Sequence, residues 1–145
     1  MKTILIATDF SKAAKNAMNY GVEFAKAIRA KVILFNAYAV PHPSPGLTMA
    51  VSKFDVKAAA DSQLEQEANE INFPLELCSE EGYGAADILN LADEKNADYI
   101  ITGMKGSGKN IKKIFGTTAL SLARQSHIPV IVVPENAQFS SPLPY

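Results

Sequence analysis

Cysteine is nearly absent: Cys78 is the only one in 145 residues. A single thiol excludes an internal disulfide and a structural zinc site built on several cysteines. Long apolar runs are missing as well. The longest extend over about five residues, and a membrane-spanning helix needs roughly 20. The opening stretch Ile4-Leu5-Ile6-Ala7 is short and stops at Asp9, so no signal peptide is expected. Neither sign of charge dominates, with 14 Lys and Arg against 15 Asp and Glu and a formal net charge of −1. A nucleic-acid coat or a membrane-surface binder needs a basic excess, so neither class of partner is expected. Histidine is scarce: His42 lies among prolines and His127 precedes Ile128-Pro129. No metal set and no catalytic residue can be assigned from them. His127 is expected to cap a helix end, and Cys78 to be a small buried hydrophobe. No repeat at solenoid spacing is present. These absences, with 48% apolar and 20% charged residues, predict a cytoplasmic single-domain protein spanning residues 1–145. A chain of this size buries roughly 68–70% of its unfolded surface, enough for its own core.

What is present alternates. Thr3 to Thr8, Val32 to Tyr38, Leu75 to Ser79, Asp98 to Gly103 and Pro129 to Val133 are short apolar runs. Runs of this kind read as strands covered on both faces. Between them lie helical patterns. Ser11 is a plausible N-cap for the first, in which Ala14, Ala17, Met18, Gly21, Phe24, Ala25 and Ile28 recur at three- and four-residue steps. A second helix is expected from about Met49 to Ala68, with Phe54, Ala58, Leu64 and Ala68 inward and Asp61 interrupting the stripe. Ala85, Ile88, Leu89 and Ala92 mark a third, with Asp87 in its first turn, where a carboxylate suits the helix dipole. Thr117 to Gln125 fits a fourth. Ala39 to Leu47, with three prolines and a glycine, reads as a loop, and Glu135 to Tyr145 as a tail. Strands separated by helices mean βαβ units, a parallel sheet and an α/β fold with helices on both faces. In such folds ligands sit beyond the carboxyl ends of the strands, where strand order reverses.

Glycine is unevenly placed. Four of the eight glycines, Gly103, Gly106, Gly108 and Gly116, fall between the fourth strand and the fourth helix. Lys105, Lys109, Lys112 and Lys113 share this stretch, which holds no Asp or Glu. Glycines let the backbone approach a ligand. Successive N–H groups in such a loop form an anion-binding concavity, and the next helix start adds more donors. Thr117 and Thr118 can add hydroxyls. The stretch therefore reads either as a site for a phosphorylated small molecule or as an ordinary basic loop. Gly103 to Lys109 begins like a P-loop, G-x-x-x-x-G-K, but Asn110 stands where that motif needs the Ser or Thr that ligates Mg²⁺.

The pattern Gly103-x2-Gly106-x9-Gly116-Thr117 resembles the universal stress protein family in its ATP-binding branch. The resemblance extends over nearly the whole chain. Ile4-Leu5-Ile6-Ala7-Thr8-Asp9-Phe10-Ser11 looks like the family's first strand and acidic turn. Val32 to Ala37 and Pro129 to Pro134 look like its second and fifth strands.

This resemblance implies a three-layer, Rossmann-like fold with a parallel five-stranded sheet in order 3-2-1-4-5. It implies ATP as ligand, alone or with Mg²⁺. Ala7, Thr8 and Asp9 would line the adenosine end, and Ala37 would offer backbone to the adenine edge. Gly103, Met104, Lys105 and Gly106 would lie along the phosphates, closed over by Gly116, Thr117 and Thr118. Asp9 would bond the ribose or a metal's water shell. Hydrolysis needs a group that orients water, and none is apparent, so the expected role is a nucleotide-dependent switch or sensor with at most slow ATPase activity. The resemblance also implies a homodimer through the fifth strand and a protein partner that reads the nucleotide state. The rival readings are a ligand-free dimeric interaction protein of the same fold and an adenylating or flavoprotein-like enzyme domain.

Overall fold

The computed structural model describes residues 1–41, 52–104 and 116–140. Its strands are β1 (Thr3–Ala7), β2 (Lys31–Tyr38), β3 (Leu75–Glu81), β4 (Tyr99–Gly103) and β5 (Val130–Val133). Its helices are α1 (Lys12–Ile28), α2 (Lys53–Asn69), α3 (Ala85–Glu94) and α4 (Thr117–Gln125). The strands form one sheet in the order β3-β2-β1-β4-β5, and every pairing is parallel. This is the three-layer Rossmann-like architecture expected from the alternating runs.

Alternation along each strand divides the core in two. Ile4, Ile6, Val32, Leu34 and Ile101 face α1 and α2, where they meet Ala17, Met18, Val22, Ala25 and Leu64. Leu5, Ala7, Ile33, Phe35 and Ile100 face the other side and meet Ile88, Leu91, Ala92 and Leu122. Every residue of β1 is buried, which is why its sequence shows no polar alternation. Each fully buried Ile, Leu or Phe contributes about 1.5–3 kcal/mol of transfer free energy, so the central strands anchor the domain. Ser11 is the N-cap of α1, its hydroxyl accepting from the Ala14 N–H at 3.1 Å.

Four expectations change. The buried face of α2 is Ala60 and Leu64, while Phe54 is 79% exposed and Ala58 is exposed. Asp61 does not break an apolar stripe. It accepts the Ser79 hydroxyl, which also receives the Lys57 ammonium at 2.9 Å, so α2 is clipped to edge strand β3 by polar contacts. Cys78 is half-buried rather than buried, and the burial it has pushes its thiol pKa up. Ser126 is the C-cap of α4, and His127 beside it is exposed. Finally, the segment after β5 packs on its own chain. The Asn16 amide donates to the carbonyls of Pro134 and Ala137 at 3.0 and 3.1 Å. Phe139 meets Tyr20 and Phe24 edge-on, with centroids 5.4 and 5.8 Å apart. Pro142, Tyr145, His42 and the expected start of α2 at Met49 lie outside the described residues.

Candidate functional site

From β1 the chain moves outward through β2 and β3, then returns across the sheet to β4 and β5. The order reverses between β1 and β4, and a crevice opens beyond their carboxyl ends.

The turn after β1 forms one wall. Thr8 hands its N–H to the Phe35 carbonyl at 2.9 Å and its own carbonyl to the buried Asn36 amide at 2.8 Å. The Thr8 hydroxyl accepts from the Phe10 N–H at 3.0 Å, and Asp9 Oδ1 accepts from the Ser11 N–H at 2.9 Å. Three polar side chains, Thr8, Asp9 and Ser11, thus take up N–H groups of the turn and the helix start. They hold Phe10 at φ 66°, a left-handed conformation that is costly for a bulky residue. Asp9 itself stays exposed at the rim. Its carboxylate therefore has two roles to fill: bracing the turn and facing the crevice.

The opposite wall combines β4 and α4. At Gly103 the strand end runs against the first turn of α1. A Cβ there would sit 2.8 Å from the Ala13 carbonyl oxygen. The glycine pattern assigns Gly103 to a ligand, but contact with the protein's own backbone already demands a glycine there. Gly116 is the N-cap of α4, extended at φ −62°, ψ 156°, and it carries no side chain to cap the helix. The first-turn N–H groups of a helix lack intrahelical partners, so this end of the crevice offers donors and partial positive charge. Thr117 and Thr118 add hydroxyls beside them.

A third wall was not anticipated. Gly82, Tyr83 and Gly84 connect β3 to α3 and line the same space. Asp87 Oδ2 accepts from the Tyr83 N–H at 2.7 Å and the Gly84 N–H at 3.2 Å. The Gly82 N–H donates to the Tyr38 carbonyl at 3.0 Å. The signal in the sequence was Gly-Tyr-Gly at the junction of a strand and a helix with an acidic residue in its first turn.

Together these walls enclose a cleft of about 620 Å³. Ala7, Thr8, Asp9, Ala37, Gly103, Gly116, Thr117 and Thr118 all line it. Met104 follows at the end of β4, its N–H bound to the Val133 carbonyl at 3.0 Å, and is not among the lining residues. Lys105 and Gly106 lie outside the described residues, as do Gly108, Lys109, Lys112 and Lys113. The cleft has two characters. Phe35, Ala37 and Ala39 on the β2 side and Ile88 of α3 supply apolar lining, and Thr8, Asp9, Ser11, Thr117 and Thr118 supply polar lining. Among the described lining residues Asp9 is the one carboxylate and there is no Lys or Arg. Among the described residues no group of three or more His, Cys, Asp or Glu could hold a metal ion, and no helix is long and apolar enough to cross a membrane.

The model of the universal stress protein family matches residues 1–134. The chain belongs to that family. Among its relatives, a universal stress protein from Synechocystis is 26% identical over 138 residues, covering 92% of this chain and 85% of that one. Two solved structures of universal stress proteins share the fold. One, in complex with cAMP, superposes with a TM-score of 0.69 at 22% identity, covering 91% of this chain and 96% of that one. The other, from Arabidopsis thaliana with AMP bound, gives 0.66 at 18% identity and covers 94% of each chain. In the universal stress protein fold the reversal of strand order and the glycine-capped fourth helix thus meet at one cleft of this chain.

Proposed function

We propose that this chain binds an adenine nucleotide, ATP in the first instance, and acts as a nucleotide-dependent switch or sensor in stress regulation. The observation that carries this reading is the cleft itself. Ala7, Thr8, Asp9 and Ala37 from one half of the sheet meet Gly103, Gly116, Thr117 and Thr118 from the other. Its apolar lining suits a base, Asp9 is an acceptor for sugar hydroxyls, and the start of α4 suits phosphate oxygens. The AMP and cAMP held by two structural relatives support the same ligand class. Met104, Lys105 and Gly106 complete the phosphate side in this reading, with Lys105 as a point charge for the phosphates. Mg²⁺, when it accompanies ATP, would have the Asp9 carboxylate as its nearest acid in the lining.

Hydrolysis is at most slow in this reading. Asp9 belongs to the sugar end, and no other carboxylate among the described lining residues can orient water toward a γ-phosphate. Bound nucleotide instead selects one state of the mouth of the site, and a partner protein reads that state by its differential affinity. The open edge of β5 pairs two copies into a homodimer.

Calorimetric titration with ATP and mass analysis of any nucleotide released on denaturation test the proposal. The wild-type chain is expected to bind, and Gly116→Val to lose binding by 100-fold or more, about 2.7 kcal/mol. The Gly116 backbone lies where valine is comfortable, so the variant should fold. Wild-type ATP affinity in that variant would overturn the site.

A further inference from the structure

We infer that Thr102 is a ligand-binding residue of the cleft, its hydroxyl forming a hydrogen bond to the bound nucleotide, an inference that rests on the nucleotide reading of the same cleft. Few polar side chains are buried among the described residues: Thr3, Thr8, Asn36, Ser79 and Thr102. Burying such a group without a partner is costly. Three of them are satisfied inside the fold. The Thr8 hydroxyl accepts from the Phe10 N–H, the Asn36 amide donates to the Thr8 carbonyl, and the Ser79 hydroxyl lies between Asp61 and Lys57. The hydroxyls of Thr3 and Thr102 have no hydrogen-bond partner among the described residues. Thr3 opens β1 and does not line the cleft. Thr102 is 7% exposed and does line it.

Alternation along β4 fixes where this side chain points. Ile101 belongs to the half of the core under α1 and α2, and Ile100 to the half under α3 and α4. Thr102, two residues beyond Ile100, therefore turns toward α3 and α4 as well. The cleft lies on that side, where Ala7 and Phe35 line it from β1 and β2. Ile6 pairs with Ile101, and Ala7 with Phe35. One residue further on, Thr102, Ala7 and Phe35 make a single row across three strands. On the other flank Thr102 pairs with Val132. Every neighbour in the row is apolar, so packing asks for no hydroxyl at this position.

The strands that carry Ala7 and Thr102, β1 and β4, are those between which the strand order reverses. Their row thus forms the floor of the crevice at the reversal. A nucleotide seated there passes over Thr102 whichever way round it lies. Base, ribose and phosphates all carry acceptors for a hydroxyl proton. An open cleft is wet, and a ligand that fills it has to take over the bonds of the water it displaces. Thr102 then rewards a ligand with a polar atom at the floor and penalises one that presents only apolar surface there.

The test pairs two variants with two measurements. Thr102→Val keeps the branched shape and removes the hydroxyl; Thr102→Ser keeps the hydroxyl. ATP is titrated by calorimetry into the wild-type chain and both variants, and each protein is unfolded in denaturant. Thr102→Val is expected to weaken ATP about fivefold or more. It is expected to unfold at the same or a higher denaturant concentration, because it breaks no hydrogen bond within the fold. Thr102→Ser is expected to keep ATP affinity within about threefold. Wild-type ATP affinity in Thr102→Val overturns the role of the hydroxyl while leaving the nucleotide site standing. A lower unfolding midpoint in that variant overturns it too, since the hydroxyl would then serve the fold. Equal loss of affinity in both variants assigns the effect to packing and overturns it as well. A wild-type chain that binds no ATP overturns the nucleotide reading and the Thr102 contact together.

Discussion

The buried amide of Asn36 donates to the main-chain carbonyl of Thr8 at 2.8 Å. It ties the second strand to the residue just before Asp9. Asn36→Leu removes the donor and leaves a buried carbonyl unpaired, which costs about 1–3 kcal/mol. Denaturant titration should register that loss. Calorimetry should show ATP binding weakened several-fold, because the turn that carries Asp9 is released. Unchanged stability would mean that the Thr8 carbonyl finds another donor.

Gly103 allows strand and helix to touch. In Gly103→Ala the new methyl meets main-chain atoms of Ala13 rather than a movable side chain. Overpacking of this kind costs about 1–3 kcal/mol. The expected result is a lower midpoint of unfolding with or without nucleotide. A variant that kept full stability and lost only ligand affinity would return Gly103 to the ligand.

Glu67 supplies a pH dependence. Its Oε2 is buried with no hydrogen-bond partner among the described residues. Burial raises its pKa, Lys15 of α1 lowers it, and Glu70 on its own helix raises it further. A carboxyl raised in the fold contributes stability that is complete below its unfolded value and is lost as pH rises through the folded one. Glu67→Gln should therefore be the more stable protein at pH 7, with the advantage fading toward about pH 4. Tm measured across this range checks it; an advantage independent of pH would assign the effect to packing.

The proposed dimer edge is testable by one proline. The Pro129 and Val133 carbonyls accept from β4, so alternation turns the main-chain groups of Val130 and Val132 to the open side. Proline is tolerated on an edge strand but gives no hydrogen to a partner. Val132→Pro should shift light scattering from dimer to monomer while far-UV circular dichroism stays the same. A wild-type chain that is monomeric at working concentration refutes the pairing.

The fold was legible because burial on both faces leaves a uniform apolar run, as in Thr3–Ala7, and because the partly buried edge strand Val130–Val133 is apolar throughout as well. The α4 bounds, Thr117–Gln125, follow directly from a glycine and a short apolar period. Of the inward face of α2, Leu64 was legible and the rest was not, because that helix lies over edge strand β3 and grips it through Lys57, Asp61 and Ser79. Polar contacts leave no apolar stripe to read. The Phe139 contacts were hidden by distance along the chain, since Tyr20 and Phe24 belong to the first helix. At the cleft, Gly116, Thr117 and Thr118 stood out by residue type and position, and Thr8 and Asp9 through the family resemblance. The Gly82–Gly84 wall did not, because a glycine pair at a loop looks the same whether it serves a ligand or a turn.

The segment that follows β5 gives the molecule a handle. Asn16, which holds it, lies three residues beyond Ala13 on α1, and Ala13 and Ala14 border the cleft. A tether, cargo or fused domain hung from the far end of the polypeptide pulls on that helix before it strains the sheet. Met1, 98% exposed and ahead of β1, lies at the other end of the sheet from the cleft, so an attachment there stays clear of the site.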